Sequence, residues 1–286
     1  MEKTTTIVLE GGALRGVYSS GVLDVLMEHG LWFPNVVGVS AGALNGLSYL
    51  SRQPYRSVSI QLHHVRDPRY MGVSSLLKKG HHFFNFDFLF GEISDCLIPF
   101  DYDAFSKAEE RLYAVATNCE TGEATFLHKG NCPDIFQACR ASASMPLLSK
   151  VIPIGGTIYL DGGVSNPVPL PDELPFAAEK IVLVLTRPKG YRKQPVSPAI
   201  RKLYHRHFSH YPELVRILDQ GPERYNRRME RIDQLEAAGK VFVIRPQTAV
   251  TVSRTEKNIA KLSELYQQGC REAKAQMADL CAFLER

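Results

Sequence analysis

The 286-residue sequence has few of the features that mark secreted, zinc-binding or membrane-spanning proteins. Its six cysteines show no C-x-x-C spacing, which argues against a zinc site and a disulfide framework. The N-terminus lacks a basic start followed by a long apolar stretch. No apolar run approaches the roughly 20 residues that a membrane-spanning helix needs. We therefore expect a cytoplasmic protein whose membrane contact is peripheral at most.

The sequence also has only a small excess of positive over negative charge. The net charge of +4 is too small to require a polyanionic partner, so we expect no nucleic-acid partner. The segment 189–231 is nonetheless rich in basic residues, among them Arg224, Arg227, Arg228 and Arg231. A solvated helix face is the simpler interpretation of this segment, and a contact with an anionic surface is the alternative.

Short apolar runs alternate with segments of helical periodicity, which is typical of a sheet covered on both sides by helices. Strands are predicted at 5–9, 36–39, 111–117, 154–160, 180–186 and 240–244. Helices are predicted at 16–28, 41–50, 134–144, 198–218 and 223–237, with a last helix opened by a capping box of Ser253 and Glu256. We expect 1–286 to form one domain, with the motifs in 5–186 and a mostly helical part, 187–286, completing it.

The segment 80–90 concentrates aromatic residues. Such a segment can line an acyl pocket, act as a lid or simply pack in the core. The sequence leaves these three interpretations open.

The pentapeptide 38–42, Gly-Val-Ser-Ala-Gly, follows one predicted strand and precedes a predicted helix. This context puts Ser40 on the sharp strand-to-helix turn that presents a nucleophile. Gly38 and Gly42 let the turn close, and the backbone N–H of Ala41 points to where an oxyanion would form. An ordinary turn is the alternative interpretation.

Two other motifs accompany the serine. Upstream, Gly11, Gly12 and Ala13 can bring backbone N–H groups close to a developing oxyanion, because little side chain intervenes. The alternatives are a tight strand-to-helix connection or a phosphate loop, although the glycine spacing does not match the dinucleotide fingerprint. Downstream, Asp161 precedes Gly162 and Gly163, which permit a tight turn that aims the carboxylate inward. An Asp-Gly turn that ends a strand is the alternative there.

These three motifs, in this order, resemble those of the patatin-like phospholipase family. In that family a G-G-G-x-[RK]-G loop forms the oxyanion hole, G-x-S-x-G carries the serine and D-G-[GA] carries the aspartate of a Ser-Asp dyad. The resemblance covers about 5–186, including the small-residue block 140–146, and implies a three-layer α/β/α fold with a mostly parallel sheet. It implies Ser40 as the nucleophile and Asp161 as the proton acceptor. It further implies an oxyanion hole formed by Gly11, Gly12, Ala13 and Ala41. Supporting roles would fall to Arg15, Gly16, Gly38, Gly42, Gly162 and Gly163.

The chain departs from the family pattern at Ala13, which replaces the usual third glycine. A methyl group is tolerable there at a negative φ and costly at a positive one. For Arg15 we expect hydrogen bonds to nearby carbonyl groups, with a contact to a phosphate head group as the alternative.

The function implied is hydrolysis of acyl esters of phospholipids, lysophospholipids or other lipids, without a metal or other cofactor. A free Asp titrates near 3.9, so burial of Asp161 would make it a better base near neutral pH. One alternative is a Ser-His-Asp esterase whose base is a histidine of the C-terminal half. The other is a lipid- or nucleotide-phosphate-binding module in which Ser40 is unreactive.

Overall fold

The computed structural model describes residues 2–72 and 83–286. Within these residues eight strands form one sheet in the order β5-β6-β3-β2-β1-β7-β8, and β4 also pairs with β3. The strands are β1 Thr6–Leu9, β2 Asn35–Val39, β3 Arg111–Asn118, β4 Ala124–Leu127, β5 Ile152–Ile154, β6 Thr157–Asp161, β7 Ile181–Val184 and β8 Phe242–Ile244. The order β3-β2-β1-β7-β8 is parallel throughout, whereas β4, β5 and β6 pair antiparallel.

Helices cover both faces of the sheet, as the first strand illustrates. Successive side chains of a strand point to opposite faces. Ile7 and Leu9 pack in one core with the first helix, whereas Val8 packs in a second core with Ile232 of a C-terminal helix. The predicted α/β fold with a central, mostly parallel sheet is therefore confirmed.

The helices predicted at 16–28, 41–50, 134–144 and 223–237 are present within two residues of those bounds, whereas Arg56–His64 and Tyr102–Lys107 were not predicted. No helix in the described residues is long and apolar enough to cross a membrane. The helices are Val17–Glu28, Ala41–Leu50, Arg56–His64, Tyr102–Lys107, Ile135–Ser142, Pro198–His207, Pro212–Asp219, Gly221–Ala237, Ile259–Ala275 and Met277–Glu285, with shorter or irregular turns at Ala13–Gly16, Phe86–Phe88, Leu89–Leu97 and Pro171–Glu173.

The predicted strand 154–160 is instead a hairpin of β5 and β6. Gly155 and Gly156 connect the two strands with φ values of 56° and 84°. Both values lie in the left-handed region that glycine enters without steric cost, so the chain reverses there.

Two helix predictions were also wrong at their boundaries. The predicted helix 198–218 is two helices, because the second begins at Pro212, a residue with no N–H to continue the first. The capping box of Ser253 and Glu256 does not begin the helix that was predicted to follow it. That helix begins at Ile259, and the side chain of Asn258 accepts hydrogen bonds from the first turn.

The C-terminal part packs closely on the motif-bearing part. Strand β8 extends the sheet beyond β7, and helix Ile259–Ala275 lies against helix Val17–Glu28. The hydroxyl of Tyr266 donates a 2.9 Å hydrogen bond to Asp24 across this helix pair. A Cβ atom on Gly21 would lie 2.4 Å from the carbonyl oxygen of Tyr266, so the two backbones approach as only glycine allows. That the whole chain forms a single domain stays a prediction.

Candidate active site

Ser40 lies at the turn between β2 and helix Ala41–Leu50, as the sequence predicts. Its backbone has φ 55° and ψ −119°, a conformation that costs roughly 1–3 kcal/mol for a residue other than glycine. The turn is closed so tightly that a Cβ atom on Gly42 would lie 2.3 Å from the carbonyl oxygen of Leu9. Gly42 is therefore required by contact with β1, and Gly38 by contact with the backbone of Ala43.

Sheet register brings Asp161 to the serine. Strands β2 and β3 pair Val39 with Val115, and strands β3 and β6 pair Ala116 with Asp161. Ser40, one residue beyond Val39, therefore lies level with Asp161 at the same edge of the sheet. The hydroxyl of Ser40 donates a 2.6 Å hydrogen bond to Oδ2 of Asp161.

The carboxylate of Asp161 is held at both oxygens. Its Oδ1 accepts a 2.7 Å hydrogen bond from the backbone N–H of Gly163. Its own backbone carbonyl accepts a hydrogen bond of 2.8 Å from the hydroxyl of Thr117. Burial raises the pKa of Asp161 above its ordinary value, and the hydrogen bonds from Ser40 and Gly163 partly oppose that rise.

Sequence reasoning assigned no role to Ser142, which contacts the same turn. Its buried hydroxyl accepts a 2.9 Å hydrogen bond from the backbone N–H of Ser40. Its carbonyl accepts another, of 3.2 Å, from the N–H of Gly162. The small-residue block 140–146 was the only signal, and it did not show which serine faces the turn.

Several backbone N–H groups near Ser40, that of Gly11 among them, have no hydrogen-bond partner in the described part of the chain. The N–H groups of Gly12, Ala13 and Ala41 donate no hydrogen bond to another described residue. A Cβ atom on Gly11 would lie 2.9 Å from Cβ of Ser40, which shows how closely this loop approaches the serine. Free donors beside a hydroxyl are the arrangement that an oxyanion requires.

Ala13, which replaces the usual third glycine of the family, adopts the positive φ that is costly for a residue with a methyl group. Ala13 has φ 49°, in the left-handed region, where a methyl group is strained by roughly 1–2 kcal/mol. The glycine loop is also tied to the serine helix, because the side chain of Asn45 donates a 2.9 Å hydrogen bond to the carbonyl of Gly16. These contacts hold the strained loop in place.

An apolar cavity of about 70 Å³ opens beside Ser40. Its walls combine helices Ala41–Leu50 and Arg56–His64 with the aromatic segment, which contributes Phe84, Phe86 and Phe90. Of the three interpretations left open for this segment, lining holds for Phe84, Phe86, Leu89 and Phe90, and burial of Phe86 shows that the segment also packs in the core. Residues 80–82 lie outside the described residues, and the lid stays a prediction.

A second, polar cavity of about 440 Å³ also reaches the serine. Ala13, Ser40 and Met145 line both cavities, so the serine lies where they meet. Arg15 lines the polar cavity and donates no hydrogen bond to a carbonyl among the described residues, so the role first expected for it was wrong.

Comparison with known proteins identifies the family. Residues 7–174 match the model of the patatin-like phospholipases. The chain belongs to this family. Residues 211–285 match a second model, described as a domain of unknown function, DUF6363.

Two relatives illustrate how far the likeness extends. The chain is 25% identical over 189 residues to the uncharacterized protein YjjU of Escherichia coli (strain K12), which is 64% of this chain and 52% of YjjU. It therefore spans about half the length of that curated relative. Among solved structures it is similar to VipD from Legionella pneumophila, with a TM-score of 0.48 and 12% identity over 97% of this chain and 67% of that one.

In this patatin-like chain no described histidine lines either cavity. In the C-terminal half, His205 instead contacts Asp219 at 2.8 Å. The histidines are at 29, 63, 64, 81, 82, 128, 205, 207 and 210, and 81 and 82 lie outside the described residues.

The arginines of the basic helix Gly221–Ala237 are partly anchored and partly exposed. Arg228 binds Glu173 through both of its terminal nitrogens, and Arg231 binds Asp172 at 2.9 Å. Arg224 donates to the carbonyl of Ser165. Arg224 and Arg228 are partly buried and anchor the helix to the chain after Asp161, whereas Arg227 and Arg231 are exposed, as expected of a solvated face. Contact of this segment with an anionic surface stays a prediction.

Proposed function

We propose that this member of the patatin-like phospholipases hydrolyses acyl esters of lipids, with Ser40 as nucleophile and Asp161 as proton acceptor. The 2.6 Å contact between Ser40 Oγ and Asp161 Oδ2 carries the proposal. Its place at the junction of an apolar and a polar cavity suits an ester with one fatty and one polar half.

In the proposed reaction the oxygen of Ser40 bonds to the ester carbonyl carbon as its proton passes to Asp161. The bond to the alcohol oxygen then breaks, and Asp161 returns the proton to the departing alcohol. Water, deprotonated by Asp161, then attacks the acyl-serine. The bond between the carbonyl carbon and Oγ of Ser40 breaks, Oγ takes the proton back from Asp161, and the fatty acid leaves. The raised pKa of Asp161 supports this role, because a base is more effective when its pKa is closer to the working pH.

The free N–H groups of Gly12, Ala13 and Ala41 would stabilise the oxyanion. Each such donor contributes on the order of a hundred- to a thousandfold in rate. Arg15, Gly16, Gly38, Gly42, Gly162 and Gly163 would act by shaping or lining the site.

Two rival functions have less support. A Ser-His-Asp esterase needs a histidine against Ser40, where the described chain has Asp161. A phosphate-binding module with an inert serine gives no reason for the strained turn and its free donors.

The test is labelling by a fluorophosphonate probe together with hydrolysis of p-nitrophenyl butyrate. We expect the wild type to label and turn over, Ser40→Ala to do neither, and Asp161→Asn to lose most turnover. Matched controls are Ser106→Ala, an exposed serine, and Asp24→Asn, a buried carboxyl that lines neither cavity. A folded wild type that neither labels nor turns over would overturn the proposal.

We also propose a cytoplasmic location with peripheral membrane contact through helix Pro198–His207. Ile200 and Leu203 on this helix are 38% and 47% exposed, beside the exposed cations Lys202 and Arg206. Tyr204 of the same helix lines the polar cavity, so the helix lies next to its wall. An apolar and cationic helix face suits an anionic lipid surface.

Sedimentation with vesicles of phosphatidylcholine containing phosphatidylglycerol tests this contact. Leu203→Gln and Lys202→Gln should each reduce the bound fraction, whereas Lys107→Gln, on another exposed helix, should not. Equal binding by all variants would rule out this helix as the contact.

A further inference from the structure

Four cationic side chains line the polar cavity: Arg15, Arg187, Lys193 and Arg254. They come from the loops that follow β1, β7 and β8, three neighbouring strands whose carboxyl ends meet at one edge of the sheet. The carboxyl edge of a parallel sheet is the usual place for a ligand. Only Arg15 belongs to the region that matches the patatin-like family.

None of these cations is neutralised by the protein. Among the described residues no carboxylate lies within 4.0 Å of their nitrogens. Two acids line the same cavity, but both are engaged elsewhere. Glu10 accepts hydrogen bonds from Thr186 and Tyr225, and Asp161 accepts them from Ser40 and Gly163.

Three of the four cations are partly withdrawn from water, whereas Arg254 is exposed. Arg15 is only 7% exposed, and its Nε has no hydrogen-bond partner among the described residues. Burial, together with Arg187 and Arg254, lowers the pKa of Arg15 to about 10. Buried like charges without a partner oppose folding, so such a cluster is better explained by an anionic ligand than by stability.

Two of the three tyrosines that line the cavity are already in contact with its cations. The Nζ atom of Lys193 lies 3.9 Å from the ring centre of Tyr225, and the guanidinium of Arg187 lies 4.3 Å from that of Tyr191. A quaternary ammonium would need such a free aromatic face or a free carboxylate. Of the described aromatic residues that line the cavity only Tyr204 remains, so the positive end of a zwitterionic head group would meet one ring and four cations.

We propose that the polar cavity binds a phosphate on the alcohol side of the scissile ester, so that the substrate is an acyl ester of a phosphate-bearing alcohol such as glycerol phosphate. The proposal rests on the proposed function of Ser40. The acyl chain enters the apolar cavity, the ester reaches Ser40 at the junction, and the phosphate meets the four cations. Arginine side chains suit this role, because their planar donors match phosphate oxygens.

The test compares three esters: an acylglycerol 3-phosphate, the same acylglycerol without phosphate, and p-nitrophenyl butyrate. The wild type should favour the phosphate-bearing ester in kcat/KM by at least about tenfold. Arg187→Gln and Lys193→Gln should each lower that preference about tenfold. Turnover of p-nitrophenyl butyrate, which carries no phosphate, is measured beside it to separate loss of the preference from a general loss of activity. The control Lys189→Gln removes the same charge from an exposed lysine that faces Glu236, and it should change neither.

A binding measurement separates failure of this proposal from failure of the hydrolase. Calorimetry on Ser40→Ala should show saturable binding of glycerol 3-phosphate, weakened in Ser40→Ala/Arg187→Gln and weaker for inorganic phosphate. An active hydrolase with no phosphate preference, or one unchanged by both cavity variants, overturns the proposal and leaves the hydrolase standing. Absence of glycerol 3-phosphate binding overturns it even if no ester is cleaved, and equal binding of inorganic phosphate overturns the head-group assignment.

Discussion

The hydroxyl of Ser142 accepts a 2.9 Å hydrogen bond from the backbone N–H of Ser40, the residue proposed as nucleophile. This N–H is therefore occupied, and the free donors of the site lie on the neighbouring residues instead. Ser142 also contacts the N–H of Gly162 through its carbonyl. One buried residue thus holds both the serine turn and the aspartate turn.

Ser142→Ala should lower the free energy of unfolding by about 1–3 kcal/mol, because it leaves the buried N–H of Ser40 without a partner. Urea denaturation measures this change. The control is Ser144→Ala, whose hydroxyl donates only to the carbonyl of Arg140. Equal stability of the wild type and Ser142→Ala would show that this hydrogen bond does not stabilise the serine turn.

The acid limb of activity should reflect the buried carboxyl of Asp161. A base must be ionised to accept a proton, and burial raises the pKa of Asp161, so activity should fall as pH drops through a midpoint above about 3.9. The measurement is kcat/KM for p-nitrophenyl butyrate against pH, with tryptophan fluorescence as the check on folding.

Asp24 provides the control for that profile. Burial also raises its pKa, to about 6, so it is a second source of an acid limb. Asp24→Asn should leave the midpoint in place. A midpoint that moves in this variant, or one at the ordinary value for aspartate, would count against Asp161 as the base.

Ala13→Gly should stabilise the protein by about 1 kcal/mol. Glycine accepts φ 49° without the strain that the methyl group causes, and this relief exceeds the extra freedom that glycine has in the unfolded chain. Thermal unfolding measures the shift, and Ala104→Gly, in an exposed helix, should destabilise by a similar amount. A less stable Ala13→Gly would mean that the loop is not strained.

Phosphate binding should weaken at alkaline pH through Lys193. Burial is the main reason that its pKa falls to about 8; Arg254 and Arg15 lower it further, and Glu10 and Asp161 oppose them. Lysine loses its charge above its pKa, so the affinity of Ser40→Ala for glycerol 3-phosphate should fall several-fold from pH 7 to 9. In Ser40→Ala/Lys193→Arg the arginine stays charged, and the affinity should change less.

The central motifs were predictable from the sequence because each is local. Small residues within five positions indicate the turns at Ser40 and Asp161. A run of apolar residues indicates that β1 is buried. The hairpin at Gly155 and Gly156 carried a local signal as well, although the apolar pattern on both sides was stronger.

The contacts between distant loops could not be predicted in the same way. Arg187, Lys193 and Arg254 meet Arg15 only because β1, β7 and β8 are neighbours, and sequence separation gives no indication of that order. Ser142 reaches Ser40 across 102 positions. Their residue types are common on protein surfaces, so composition did not single them out.

The order of the strands makes the structure of the glycine loop depend on residues beyond the family match. The family match ends at 174, but β1 is paired on one side by β7, which begins at Ile181. A protein shortened to the matched region would leave β1 as an edge strand, with a row of open backbone groups and three wholly buried apolar side chains exposed beside it. We expect such a fragment to self-associate through that edge. We also expect the glycine loop, which follows β1, to lose its structure first.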